Sequence, residues 1–144
     1  MQTLDLRKTL KHLYSPSSKQ PAIVDVPLFQ FATVEGAIES GMEPGTSPSF
    51  AAALEALYGI AYTLKFMSKQ RTEEPIDYAV MPLEALWWIE QGEFDIRTKD
   101  NWCWRAMIMQ PDHITPEMFD AALVKLRKKR DGGAGLDLLQ FGRF

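Results

Sequence analysis

The sequence predicts an α+β domain, because its length suits one domain and two kinds of hydrophobic pattern alternate along it. The 144 residues are enough to bury a core. Apolar side chains recur at helical spacing in some segments and form short β-prone or alternating runs in others. The predicted order is helix, strand, helix, strand, strand, helix and strand, without an internal repeat.

The chain begins with a predicted short amphipathic helix over residues 5–14. The leucines on its apolar face are Leu6, Leu10 and Leu13. Two prolines interrupt regular structure after it, so residues 1–24 are interpreted as a helix and a linker. The apolar, β-prone run over residues 28–34 predicts the first strand, and a loop rich in Gly, Pro and Ser follows it.

The clearest helix begins at Pro48, a residue type favoured at the first helical position, with Ser47 as its cap. Its predicted apolar stripe consists of Phe50, Leu54, Leu57, Tyr58, Ala61 and Leu64. Gly59 lies in the middle of this helix, where glycine costs about 1 kcal/mol relative to alanine. A close approach between the helix and the sheet would explain its presence.

Two further strands are predicted in the second half of the chain. Residues 76–82 alternate in polarity and end at Pro82, which indicates a half-buried strand. Residues 102–109 form the stronger candidate, after a polar turn. One predicted face carries Trp102, Trp104, Ala106 and Ile108, and the other carries Cys103, Arg105, Met107 and Met109.

A second long helix is predicted from Thr115 and Pro116, again as a cap followed by proline. The side chains predicted to face inward are Phe119, Ala122, Leu123 and Leu126. Its basic last turn, residues 125–130, is interpreted as a solvated face that complements the helix dipole, in preference to a phosphate site. Asp131, Gly132 and Gly133 are predicted to end it, and residues 136–141 suggest a last strand.

Composition argues against several classes of partner. The net charge of −3 gives no general attraction to nucleic acid or to anionic membranes, and no recognition-helix pattern is present. A single cysteine excludes an intrachain disulfide and fits a reducing cytoplasm. No apolar stretch reaches the roughly 20 residues that span a bilayer, and the N-terminus does not resemble a signal peptide. We therefore expect a cytoplasmic protein without nucleic-acid or membrane partners.

No motif indicates a metal or another cofactor. His12 and His113 are far apart, and no HxxxH or CxxC spacing occurs. Phosphate-binding glycine loops and the G-x-S-x-G elbow are also missing. Cys103 lies on a predicted buried strand without a histidine nearby in sequence, so an inert core thiol is favoured over a nucleophile.

Aromatic residues indicate either a core or a ligand pocket. Four tryptophans occur from Trp87 to Trp104, and the adjacent Trp87 and Trp88 cannot both enter one core if their segment is extended. Glu84 could neutralise a cation or act as an acid or base, or could simply pair with Lys or Arg at the surface. The ligand-binding candidates are Tyr62, Phe66, Glu84, Trp88, Trp104 and Met107, of which Glu84 and Tyr62 are the catalytic candidates.

Several stretches together resemble stand-alone members of the GyrI-like (gyrase-inhibitor-like) small-molecule-binding family. They are DLRKTLKHLYSPSSKQPAIVDVP, GMEPGTSPSFAAALEALYGIAYTLKF, DYAVMPLEALWW and WCWRAMIMQPDHITPEMFDAAL. The resemblance implies an antiparallel sheet with two main helices packed on one face. It implies one β-α-β-β-type repeat of a GyrI-like (SHS2-type) fold at residues 25–144, preceded by the N-terminal helix.

The same resemblance suggests a function and an assembly. Family members bind small hydrophobic or cationic molecules in a cleft between two repeats, and a subset is similar to hydrolases of cyclopropane-bearing toxins. The second repeat, where the catalytic glutamate of that subset is expected, has no counterpart in this sequence. We therefore expect a binding protein whose cleft a homodimer completes. The alternatives are a hydrolase and an inactive interaction protein.

Overall fold

A four-stranded antiparallel sheet with two long helices on one face forms the centre of the protein. The structure is a computed structural model, which describes residues 1–130, 133 and 135–144. This is the predicted α+β class. In chain order the elements are β1 (Gln2–Leu4), α1 (Leu6–Thr9), α2 (Lys11–Tyr14), β2 (Gln30–Ala37), α3 (Pro48–Lys69), β3 (Ile76–Tyr78), β4 (Leu83–Trp88), β5 (Cys103–Gln110), α4 (Pro116–Lys129) and β6 (Gln140–Arg143). Short 3-10 turns occupy Pro44–Thr46 and Leu136–Leu138.

The order of strands in the sheet is β4-β5-β2-β6, and every neighbouring pair is antiparallel. The long strands β2 and β5 pair at the centre, from Gln30 opposite Gln110 to Ala37 opposite Cys103. A separate two-stranded sheet joins β1 to β3 in parallel. Strand β1 was not predicted, because three residues are too few to show a β-strand pattern.

Helix α3 begins where its sequence predicts. The Ser47 hydroxyl accepts a hydrogen bond from the Phe50 amide at 3.2 Å, and Pro48 follows the cap. The carboxylate of Glu39 accepts hydrogen bonds from the hydroxyls of Ser47 and Ser49 at 2.5 and 2.7 Å. These hydroxyls lower the pKa of Glu39 to about 2, so the carboxylate stays charged beside the positive end of the helix dipole.

Helix α4 packs against α3 and against strand β6. Thr115 caps it as predicted, and the ring of Phe119 stacks on that of Phe141 with centroids 5.3 Å apart. A Cβ on Gly59 would lie 3.2 Å from both methyl groups of Leu126. Gly59 therefore permits close contact between α3 and α4. The expected reason for this glycine, a close approach of the helix to the sheet, was wrong. The helix ends at Lys129, and the predicted stop at Asp131 and Gly132 lies outside the described residues.

The other boundaries differ modestly from prediction. The N-terminal helix divides at Leu10 into α1 and α2. Strand β2 begins and ends later than residues 28–34, and the segment 76–82 contributes only β3, outside the main sheet. Tyr58, predicted in the apolar stripe of α3, is instead 40% exposed on the outer side of that helix.

The sheet has one face covered by α3 and α4 and a second face directed away from them. On the covered face Trp104 is 1% exposed, with its ring centroid 5.1 Å from that of Phe50 on α3. We call the other side the open face. By strand alternation it carries Phe31, Thr33, Glu35, Glu84, Leu86, Trp88, Cys103, Arg105, Met107 and Met109.

His113 should make stability depend on pH. Its Nε2 lies 2.7 Å from Ser68 Oγ, and this hydroxyl donates its proton to the Ile76 carbonyl, so Nε2 must be the donor to Ser68. Burial, helped by the charge of Arg71 and opposed by Asp112, lowers the pKa of His113. The unfolded chain then binds more protons than the folded chain below about pH 6.5, and stability should decrease as the pH falls through that range.

Urea unfolding between pH 7.5 and pH 5 measures this effect. His113→Gln should flatten the pH dependence, whereas His12→Gln, at an exposed position, should leave it unchanged. A wild-type stability that is constant or rises on acidification would contradict the assignment of His113 as a histidine held neutral by the fold.

Candidate ligand-binding site on the open face

The open face is partly roofed by the segment that follows α1. Residues 12–29 cross it mostly without regular structure and leave a cavity of about 710 Å³, which we call the sheet cavity. Its apolar walls include Leu13, Val24, Val26, Phe29 and Phe31. The volume lies within the roughly 300–1,000 Å³ that is typical of small-molecule sites.

The lining of the sheet cavity also has polar side chains, which include His12, Ser17 and Gln20 together with a hydrogen-bonded pair that carries its acidic charge. Tyr14, the last residue of α2, donates its hydroxyl proton to Glu84 Oε2 at 2.9 Å and lies 3.5 Å from Met109 Sδ. Burial raises the pKa of Tyr14, and the hydrogen bond to Glu84 and the negative charge of Glu84 raise it further. The phenol therefore remains a protonated donor, and its partner remains an acceptor.

Glu84 projects from the edge strand β4 and is exposed, opposite Met107 in the register of the sheet. Within the described part of the chain its polar partner is Tyr14, and it forms no salt bridge there. The alternative interpretation, in which Glu84 pairs with Lys or Arg at the surface, is therefore wrong within the described part of the chain. A carboxylate beside an apolar cavity favours cations and hydrogen-bond donors over anions.

The six predicted ligand residues do not form one site. Glu84, Trp88 and Met107 share the open face, with Met107 buried and Trp88 near the end of β4, opposite Cys103. Tyr62 and Phe66 lie on the outer side of α3, in a groove beside α4. The sheet and its helical layer separate the two groups, because α3 covers the face of the sheet opposite to Glu84.

Trp104 belongs to neither group. Its position on β5 places it on the covered face between the sheet and α3, so its side chain offers almost no surface to a ligand. The prediction that Trp104 lines a pocket is wrong for this structure. By contrast, Trp87 and Trp88 do diverge as predicted: Trp87 contacts Phe50 on the covered face, with ring centroids 5.2 Å apart, and Trp88 lies on the open face.

Several contributors to the sheet cavity were missed from sequence. Tyr14 and Glu84 meet although they are 70 positions apart, and nothing local in either segment indicates the contact. Phe29 and Phe31 were assigned only to the predicted strand over residues 28–34. In the sequence, the apolar residues Val24 and Val26 could have indicated this cavity, since apolar side chains outside regular structure tend to contact another apolar surface.

Other groups that resemble catalytic or metal centres do not form one. Ser68 and His113 are hydrogen-bonded, but Ser68 is 0% exposed and its proton is committed to a backbone carbonyl. Cys103 is half-buried on the open face, which corrects its assignment to the core. Burial and the nearby Glu90 raise its pKa, as expected for an inert thiol. Among the described residues no cluster of three His, Cys, Asp or Glu could hold a metal ion.

These features define an α+β domain with a helix-covered antiparallel sheet and a cavity on its open face. No protein-family model and no curated protein matches the sequence. A crystal structure of an uncharacterised conserved protein from Listeria innocua is similar, with a TM-score of 0.85 and 33% identity over 98% of this chain and 66% of that chain.

Two structures described as hydrolases from Listeria innocua are also similar. One has a TM-score of 0.82 and 31% identity over 99% of this chain and 67% of that one. The other has a TM-score of 0.78 and 30% identity over 98% of this chain and 65% of that one. This chain thus spans about two thirds of the length of each of the three Listeria proteins. It belongs to the same family as the hydrolase with which it shares 31% identity. In the described residues, no helix is both long enough and apolar enough to cross a membrane.

Proposed function

We propose that the protein is a cytoplasmic binding protein for small hydrophobic or cationic molecules, which it holds in the sheet cavity. The observation that carries the proposal is the Tyr14–Glu84 pair in the wall of a cavity that is otherwise largely apolar. Apolar walls favour a ligand with a hydrophobic body, and the pair supplies one negative charge, on a carboxylate that the Tyr14 hydroxyl orients. The GyrI-like resemblance leads to the same class of ligand.

Charge selectivity gives the sharpest test of this site. Three probes share one ring system and differ in charge: 1-naphthylmethylammonium, 1-naphthalenemethanol and 1-naphthoate. Glu84→Gln keeps the shape and removes the charge, so calorimetric titration should show the ammonium binding about tenfold more weakly. The alcohol should bind within about twofold of its wild-type affinity, because its interaction with the wall does not depend on that charge.

A matched control removes the same charge elsewhere. Glu93 is an exposed glutamate outside the sheet cavity, and Glu93→Gln should leave the affinity for the ammonium unchanged. An equal effect of both variants, or no effect of Glu84→Gln, would reject the site. Trp88→Ala extends the test to the predicted aromatic wall, where a loss of affinity would extend the ligand site along β4.

A hydrolase is the second candidate, favoured because two similar structures are described as hydrolases. Glu84 is exposed at a cavity and could accept a proton from an attacking water, with Tyr14 orienting the carboxylate. Tyr62, the other catalytic candidate, lies on the outer side of α3, away from the sheet cavity, and takes no part. If the protein is a hydrolase, the wild type should turn over a strained electrophile such as a cyclopropane. Glu84→Gln should abolish this turnover and still bind the alcohol probe. Ligand binding without turnover in the wild type would support the binding protein instead.

A homodimer remains part of the proposal. The open face presents Leu86, 53% exposed, together with Trp88 and the exposed ring of Phe144. A second copy that covered this apolar surface would also enclose the sheet cavity. Light scattering across a concentration series should give twice the mass of the chain, and a monomer at every concentration would exclude this assembly.

A further inference from the structure

A second concave surface lies on the far side of the molecule from Glu84. The outer sides of α3 and α4 enclose a groove of about 640 Å³, which we call the helix groove. Its floor and one wall carry Tyr58, Tyr62 and Phe66, each between 40% and 48% exposed. Because these residues recur at every fourth position, they lie along one side of α3, about 6 Å apart along the helix axis.

The opposite wall is basic. Lys125, Lys129 and Arg130 line the groove, and none of its described lining residues is acidic. Arg130 donates one hydrogen bond to the Glu55 carbonyl at 3.2 Å and forms an ion pair with the Glu55 carboxylate at 3.3 Å. Gly59 makes room for this guanidinium, since a Cβ there would lie 3.3 Å from Arg130 Cζ.

The structure divides the basic run of α4 into two sets. Lys125, Lys129 and Arg130 line the groove, whereas Arg127 pairs with Asp137 and Lys128 lies outside the groove. Arg130 is paired with Glu55, and compensation of the helix dipole does not require both Lys125 and Lys129, because the C-terminus carries only about half a negative charge. The excess positive charge therefore lies beside an exposed row of aromatic rings, where it is available to a ligand.

We propose that the helix groove binds a small amphipathic anion, with a flat apolar body against Tyr58, Tyr62 and Phe66 and an anionic head at Lys125 and Lys129. The volume suits a small molecule. A carboxylate, sulfonate or phosphate head would each satisfy the ammonium groups. The charge preference is opposite to that of the sheet cavity, so the two sites should select different members of one probe series.

Calorimetric titration with 1-naphthoate tests the groove. Two affinities are compared: that of 1-naphthoate for the wild type and that of 1-naphthylmethylammonium for Glu84→Gln. This variant lacks the negative charge of the sheet cavity, and the first affinity should be the higher one. Lys129→Met should weaken 1-naphthoate binding about fivefold, the upper range for one exposed ion pair. Tyr62→Ala should weaken it about as much through lost ring contact, again about fivefold.

The control variant is Lys128→Met, which removes the same charge from the adjacent position of the same helix. It should leave the affinity for 1-naphthoate within about twofold, since long-range effects of an exposed charge are screened by salt. Equal losses in Lys128→Met and Lys129→Met, or no loss in Lys129→Met and Tyr62→Ala, would overturn the proposal. Circular dichroism confirms folding, and Glu84→Gln itself should leave 1-naphthoate binding unchanged.

Discussion

Trp104→Ala should lower the free energy of unfolding by about 3–5 kcal/mol, the usual range for loss of a large buried aromatic side chain. Trp104 is 1% exposed and packs edge-on against Phe50 of α3. Removing the indole would leave a cavity between the sheet and the helix that the rigid strands β2 and β5 cannot close. Chemical denaturation with urea measures the loss.

Two variants separate a structural role from a ligand role. Trp104→Phe retains much of the ring volume and should lose clearly less stability than Trp104→Ala. Trp88→Ala, on the open face, should cost less still because Trp88 is only half-buried. A Trp104→Ala protein with wild-type stability but impaired ligand binding would restore the original interpretation of Trp104 as a pocket residue.

Gly36→Ala should lower the free energy of unfolding by about 1–3 kcal/mol, the range for adding volume to a well-packed core. A Cβ at Gly36 would lie 2.4 Å from Cζ2 of Trp104, which is closer than two carbons can approach. Gly36 and Trp104 are directly opposite each other in β2 and β5, and the indole is buried against Phe50, so a shift of the ring would disturb the core. Thermal or urea unfolding of the purified variant gives the size of the effect.

The matched control is Gly45→Ala, at a glycine whose added Cβ would meet nothing within 4 Å. It should leave stability unchanged or raise it by roughly 0.4–1 kcal/mol, since alanine restricts the unfolded chain. The clash also predicts coupling: in a Trp104→Leu background, Gly36→Ala should cost less than in the wild type. Additive losses would show that Gly36 acts independently of the indole.

The sheet cavity and the helix groove together explain why the aromatic residues could not be assigned from sequence. Tyr62, Trp88 and Trp104 were all candidates for one ligand pocket, yet one lies on the outer side of α3, one on the open face and one in the core. A pattern identifies which residues share a face of their own element. It does not identify what that face meets, because the packing partner comes from a distant part of the chain.

Helix starts were predictable because their causes are local. Ser47 and Thr115 accept hydrogen bonds from amides three residues later, and the prolines that follow them suit the first helical turn. The short strand β1 was not predictable, since it exists only through pairing with β3. The same distinction applies to Gly59, whose neighbour Leu126 comes from another helix.

Local patterns in the sequence were enough to predict the α+β class, the two capped helices and the strand β5, and they predicted opposite orientations of Trp87 and Trp88 for an extended segment. Each follows from hydrogen bonds or side-chain periodicity within a few residues. The hydrogen bond between Tyr14 and Glu84 and the groove shared by Lys129 and Tyr62 became visible only in the folded protein. Those contacts join distant segments, and they depend on how the helices and the N-terminal segment pack on the two faces of one sheet.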